Sequence, residues 1–363
     1  MNINFYKNEA KSRKKRIYKL GSLCMKFFYK TFFISFLFAS CSSMEEMPRF
    51  VSIFKGEIES VKLASYTQEK NNDVKLVFDK NIKELSTYIL FDENEEKVFP
   101  CIVKKEDDDD KNFLICMEEI CKEENKEIAI GGSYYVKGEA KDKWGNSLSF
   151  LLPFVGANNN PASLKISEVR PLYSKKPKGE FIEMVVTKDG NLSGIKILNV
   201  GSKQEPDYTF PPAEVKKGEL VVYHWRTFEE VGAKDELNAS IVAKASGASP
   251  HARDFWGKHK SLPRRKNNAI VIEENGVVQD AILYFDSKLE EDYWSSEEIA
   301  NAAEKAFQSG VWTPSGDIKD AIRYHITPTS SLGRRVIPSS NISNAKQYTL
   351  YKSKQVSEGR KNR

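Results

Sequence analysis

The stretch Gly179 to Asn199, "GEFIEMVVTKDGNLSGIKILN", carries two short apolar runs separated by the turn formers Asp189, Gly190 and Asn191. Phe181, Ile182 and Met184 fall in the first run, and Leu192, Ile195 and Ile197 in the second. Runs of this length, rich in β-branched and aromatic residues and bounded by Gly and Asn, read as strands. The preceding "SLKISEVRP" (Ser163 to Pro171) adds Ile166 and Val169 in the same texture.

Working toward the N-terminus, the same pattern returns from Ser60 onward. The segments "VKLASY", "DVKLVFD", "STYILFD", "VFPCIV", "NFLICM", "SYYVKGEAKD" and "LSFLLPF" are short, alternating and bounded by Asn, Asp, Gly or Lys. Strands at such spacing predict an antiparallel sandwich. Between two of them lies "EDDDDK" (Glu106 to Lys111), which reads as a solvated hairpin loop. A calcium site there is disfavoured, because consecutive aspartates without a turn-forming Gly do not converge on a cation. "GANNNPAS" (Gly156 to Ser163) reads as a linker between two domains, open to protease.

Two longer segments break the strand pattern in the second half. His224 to Lys266 is a basic loop insertion. Asp286 to Gly316 predicts a short helix, in which Ser295 and Glu298 form a capping box and Ile299, Ala302, Ala303, Ala306 and Phe307 make an apolar stripe.

Several stretches resemble known families. "YYVKGEAKDKWGNSLSFLLPF" (Tyr134 to Phe154) resembles the last hairpin of bacterial immunoglobulin-like domains, with Asp142, Gly145 and Asn146 at the turn. Ile166, Glu168 and Val169, then Gly179 to Glu183, then Leu192 to Gly194, closely resemble the opening of the lamin-tail domain family, with Ile195 where that family usually has Trp. "NNAIVIEENGVVQDAILYFD" (Asn267 to Asp286) is similar to that family's hairpin, Asn275 and Gly276 supplying a tight turn. "SSLGRR" and "SEGRKN" resemble its closing segments. The resemblances imply an all-β protein of two tandem immunoglobulin-like β-sandwiches, at 58–155 and 164–363 with the linker 156–163 between them. The second sandwich is expected to carry the loop insertion and the short helical insertion.

Near the N-terminus, Lys26, Lys30, the apolar Phe32 to Phe38 and the small Ala39-Ser40 have the three parts of a secretory leader. The apolar run is too short to cross a bilayer, which takes roughly 20 residues. Cys41 follows directly. A cysteine in that place resembles the bacterial lipobox, with Phe38 where Leu is usual, a relaxed form similar to that of spirochaetal lipoproteins. The resemblance implies a signal peptide over 1–40, with Met25 the expected start. It also implies a lipid-modified Cys41 and a tether over 41–57. The expected partners are thus a membrane, reached through the N-terminal lipid at the periplasmic or outer face of the cell envelope, and a protein or anionic glycan or nucleic-acid ligand.

Removing 1–40 changes the electrostatics. The full chain has 56 basic and 51 acidic residues, but the leader holds 9 and 1, leaving 47 against 50. Residues 41–160 carry 16 basic and 24 acidic side chains, and residues 161–363 carry 31 and 26. An acidic half is joined to a mildly basic one, as expected of two domains with different surfaces. Cys101, Cys116 and Cys121 leave two readings open, one disulfide with a thiol left over or three buried thiols.

The chemistry-bearing motifs are few. The chain contains neither H-E-x-x-H nor G-x-S-x-G, and it lacks both a phosphate-binding glycine loop and a paired-cysteine zinc pattern. Its four histidines, His224, His251, His259 and His325, lie in the second half; His251 with Asp254 and His259 is the one group a metal-dependent hydrolase would use. Lys258, Lys260, Arg264, Arg265 and Lys266, beside Phe255 and Trp256, form a candidate site for an anionic glycan or nucleic acid. In the plainer reading, Phe255 and Trp256 anchor the insertion and the charges keep it solvated. The reading that follows is a lipid-anchored, non-enzymatic envelope protein with a binding or structural role and no cofactor. The alternative is a divergent secreted hydrolase or nuclease accessory.

Overall fold

The computed structural model describes residues 59–69, 71–91, 99–106, 109–118, 121, 127–200, 207–238, 242–257, 262–263, 266–290, 292–337, 342–352 and 355–360. The leader, Cys41 and its tether, and Lys258, His259, Lys260, Arg264 and Arg265 lie outside the described residues.

The chain is predominantly β-structure. Strands β1 (Leu63–Gln68), β2 (Val74–Phe78), β3 (Ile82–Leu90), β4 (Phe99–Pro100), β5 (Val103–Lys105), β6 (Asn112–Ile115), β7 (Ser133–Asp142) and β8 (Ser147–Val155) come first. They pair, all antiparallel, into two sheets ordered β1-β2-β6-β5 and β4-β3-β7-β8. Alternation does the sorting: Val74, Leu76 and Phe78 of β2 face inward and meet Val136, Ala140 and Phe154 of the opposing sheet in one core. The expected turn between β7 and β8 is present. The Asp142 carboxylate accepts the Trp144 and Asn146 backbone N–H groups at 2.8 and 2.9 Å and the Asn146 amide at 2.8 Å. Asp109 and Asp110 lie on the β5–β6 hairpin; the Asp109 carboxylate accepts the Lys111 N–H, and Lys105 pairs with Asp110.

The second group comprises β9 (Ser163–Arg170), β10 (Phe181–Lys188), β11 (Gly190–Asn191), β12 (Ile195–Asn199), β13 (Tyr208–Thr209), β14 (Glu214–Val215), β15 (Leu220–His224) and β16 (Arg253–Trp256). It continues with β17 (Asn267–Glu274), β18 (Val277–Asp286), helix α1 (Glu297–Gln308), β19 (Trp312–Thr313), β20 (Ile322–Tyr324), β21 (Ser331–Arg334), β22 (Ser343–Asn344) and β23 (Tyr348–Tyr351). A six-stranded sheet, β16-β15-β10-β9-β21-β23, packs on a five-stranded one, β13-β12-β17-β18-β20, across a core of its own.

Two pairs in these sheets are parallel, β15 with β16 and β18 with β20. Parallel neighbours need a long crossover. The two insertions supply it: 225–252 connects the first pair, and 287–321, with α1, connects the second. Asn275 (φ 48°) and Gly276 (φ 82°) make the expected tight turn between β17 and β18.

Helix α1 begins one residue later than the sequence pattern predicts. Ser295 donates its hydroxyl to Asn267 Oδ1 at 2.6 Å, so Ser296, with extended backbone, is the N-cap and accepts the Ile299 N–H. Ile299, Ala302, Ala303 and Ala306 are buried against β17 and β18, whereas Phe307 is partly exposed.

Gly156 to Ser163 is less free than its composition implies. Ala157 N–H donates to Asn72 Oδ1 at 2.5 Å, and the Asn158 amide donates to the Asn191 and Ser193 carbonyls, both at 2.9 Å. No disulfide joins Cys101, Cys116 and Cys121 among the described residues.

Candidate functional site

Strands buried on one face alternate apolar with polar side chains; β9, β10, β15 and β16 are instead buried almost throughout. Their inner face supplies the core. Their outer face carries charge, and the insertion and the C-terminal segment cover it.

His224 ends β15 and pairs in register with Trp256 of β16, while Val222 pairs with Asp254. Alternation therefore sets His224, Asp254 and Trp256 on the same outer face. The imidazole stacks on the Trp256 indole at 4.0 Å and 14°, and its Nε2 lies 2.8 Å from Asp254 Oδ1. Asp254 Oδ2 accepts the Ser249 N–H at 2.6 Å, and the Asp254 N–H donates to Glu236 Oε2 at 2.9 Å. Glu236 Oε1 in turn accepts the Val242 and Ala243 N–H groups at 2.6 and 2.9 Å. Arg253 donates to the Glu236, Leu237 and Glu214 carbonyls. The insertion is thus folded around buried charges that satisfy its own backbone.

Beside this pair, Glu168 of β9 and Glu183 of β10 face each other across the ladder, both with no exposed surface. Ser167 Oγ donates to Glu183 Oε1 at 2.5 Å, and Ser331 Oγ donates to Glu168 Oε1. The remaining carboxylate oxygens accept from residues near the end of the chain. The Ser357 N–H, at 3.1 Å, and its hydroxyl donate to Glu168 Oε2; the Gly359 N–H donates to Glu183 Oε2 at 2.6 Å. Glu358 lies 3.4 Å from Arg170 Nη1 and 3.8 Å from His224 Nδ1. Burial raises the Glu168 carboxyl above its ordinary range, against hydrogen bonds from Ser331 and Ser357. Burial pushes Glu183 up to about 8, with Glu168 and Glu358 adding like-charge repulsion.

A second buried charge group lies on the other side of β9. Asp280 accepts Ile166 N–H at 2.8 Å and Ser343 Oγ at 2.6 Å, pairs with Arg334 at 3.1 Å, and lies 3.6 Å from Lys165 Nζ. Burial lowers the Lys165 pKa, against the attraction of Asp280.

Nucleophilic catalysis requires a hydroxyl or thiol hydrogen-bonded to an accessible base. Here the Ser249 hydroxyl donates to the Gly359 carbonyl at 3.1 Å, and the His224–Asp254 pair is sealed, with side chains 5% and 0% exposed. Among the described residues, no three His, Cys, Asp or Glu side chains stand together so as to hold a metal ion. The arrangement holds backbone segments in place.

Of the residues singled out in the sequence, Lys266 is exposed immediately before β17, and its carbonyl accepts the Asp286 N–H. Phe255 and Trp256 are 0% and 3% exposed and so anchor the insertion, as the plainer reading has it. Asp254 bonds His224 rather than His251, which is exposed. His325 Nδ1 lies 3.1 Å from Asp286 Oδ1. The motif residues Glu168 and Glu183, and the closing Ser357 and Gly359, meet at one place. Their separations of 189 and 176 positions hide that meeting from any local pattern.

A protein of Treponema pallidum (strain Nichols), carrying the name "Uncharacterized protein", is 44% identical over 191 residues, covering 50% of this chain and 48% of the relative. The chain thus spans about half the length of the curated relative it matches. Residues 162–354, which include every strand of the second group, match the family described as "TP_1001_2nd: protein second domain". The chain belongs to that family.

Proposed function

We propose that the protein is a lipid-anchored component of a spirochaete-type cell envelope whose β-sandwiches bind or support and do not catalyse. The observation that carries the non-catalytic part is the sealed His224–Asp254 pair, in which Asp254 bonds His224 and the Ser249 N–H of the insertion while His224 Nδ1 lies 3.8 Å from Glu358 of the C-terminal segment. Anchoring rests on the lipobox-like "FASC" at Phe38 to Cys41. One acyl chain binds a membrane only marginally, so the several chains carried by bacterial lipoproteins would hold the protein stably. A lamin-tail-like, immunoglobulin-like second sandwich is supported by the motif segments at Ile166, Gly179 to Glu183 and Leu192 to Gly194, which lie in or beside β9, β10 and β12 of one sandwich.

Metabolic labelling with a fatty-acid analogue tests the anchor. The wild-type chain should take up label and partition into detergent, and Cys41→Ala should lose both properties. Label retained by the variant would overturn the assignment.

A further inference from the structure

Residues 355–360 cross the outer face of the six-stranded sheet and cover its carboxylates. Val356 packs beside Phe181, Leu220, Val222 and Ala252. Gly359 (φ +75°) fits where a side chain does not: a Cβ there would stand 2.1 Å from Ser249 Oγ and 2.3 Å from Ser249 Cβ. The contact is therefore shaped for this segment.

Its polar side is unbalanced. Two buried glutamates, Glu168 and Glu183, face the segment, which itself brings a third, Glu358. Arg170, on β9, is engaged with Glu358 and lies over the Phe181 ring. From β15 and β16 come His224, beside Glu358, and Asp254. From the β21–β23 side come Tyr351, whose hydroxyl is raised by burial and by the nearby Glu168, and Arg335, which acts on Tyr351 in the opposite sense. Arg360, the cation on the segment itself, is exposed.

We propose that residues 355–360 are a strap that docks over Glu168 and Glu183 when that pair carries protons and lifts as the pair ionises, uncovering the Phe181–Val222 face. Undocking returns the carboxylates to water and separates them from Glu358. The direction follows from linkage. With the strap docked, burial and the repulsion of Glu168 and Glu358 outweigh the hydrogen bonds of Ser167 and Gly359 and hold Glu183 up at about 8, so its contribution to docking is complete in the ordinary carboxyl range and is lost as pH rises through about 8. Glu168 and Glu358, both raised by burial, act in the same direction.

Hydrogen exchange on the full chain tests this, read as protection factors so that the intrinsic pH dependence of exchange divides out. Protection of 355–360 should fall at least tenfold between pH 6 and pH 9, while β17 stays equally protected. Glu183→Gln keeps an acceptor for Gly359 and cannot ionise, so its strap should show a flatter profile. Gly359→Ala should leave the segment unprotected at both pH values with β17 intact. Protection of the wild-type strap that does not change with pH would overturn the proposal. So would a parallel loss in β17, or a Glu183→Gln profile with the wild-type slope.

Discussion

Arg334 and Asp280 form an ion pair in which neither side chain reaches solvent, with Nη2 3.1 Å from Oδ2. Asp280 also receives the Ile166 N–H and the Ser343 hydroxyl, so one carboxylate ties β18 to β9, β21 and β22. Removing one member of a buried pair leaves the other charge uncompensated, at a cost of about 3–5 kcal/mol. Asp280→Asn should therefore shift the denaturant midpoint markedly, with Arg334 and Lys165 left facing a neutral amide. Lys141→Ala, which removes an exposed pair with Glu139, should change stability by less than about 0.5 kcal/mol. Equal effects from the two variants would contradict the hub assigned to Asp280.

The linker offers a second check. Asn158 binds the Asn191 and Ser193 carbonyls, and Ala157 binds Asn72. Brief proteolysis of the native chain should therefore spare Gly156 to Ser163, against the expectation from composition. Asn158→Ala should make cleavage there measurably faster by mass spectrometry. Cleavage of the wild-type linker as fast as the variant's would show that these hydrogen bonds do not hold it.

The basic segment at 258–266 should bind anions by charge alone, because Phe255 and Trp256 are buried in β16 and unavailable for stacking. Each phosphate neutralised makes affinity fall with salt. Heparin should retain the protein at low ionic strength and release it before physiological salt. Arg264→Ser with Arg265→Ser should elute earlier still. Unchanged elution of the double variant would leave these arginines as solvated surface.

Local signals carried much of this architecture. Alternation at β2 and β7, the Asn275-Gly276 turn and the alanine stripe of α1 are written within a few residues of one another, so the sequence displays them directly. The helix cap moved by one position because Ser295 found a tertiary partner, Asn267, 28 residues away. The parallel pairs β15–β16 and β18–β20 were illegible because their crossovers read only as insertions. The polar cluster was half legible. Glu168 and Glu183 stood out through a family resemblance, but nothing near them in the chain announces that Ser357 and Gly359 close over them. His224 and Asp254 meet only because parallel pairing brings Trp256 beside His224, whereas spacing alone favours the closer His251.

Mass spectrometry of the N-terminal peptide from protein extracted from its own cells bears most directly on the lipid-anchored reading. The mature chain should begin at Cys41, with the thiol carrying diacylglycerol. A mature chain with an unmodified Cys41 thiol, or one that begins elsewhere, would contradict it.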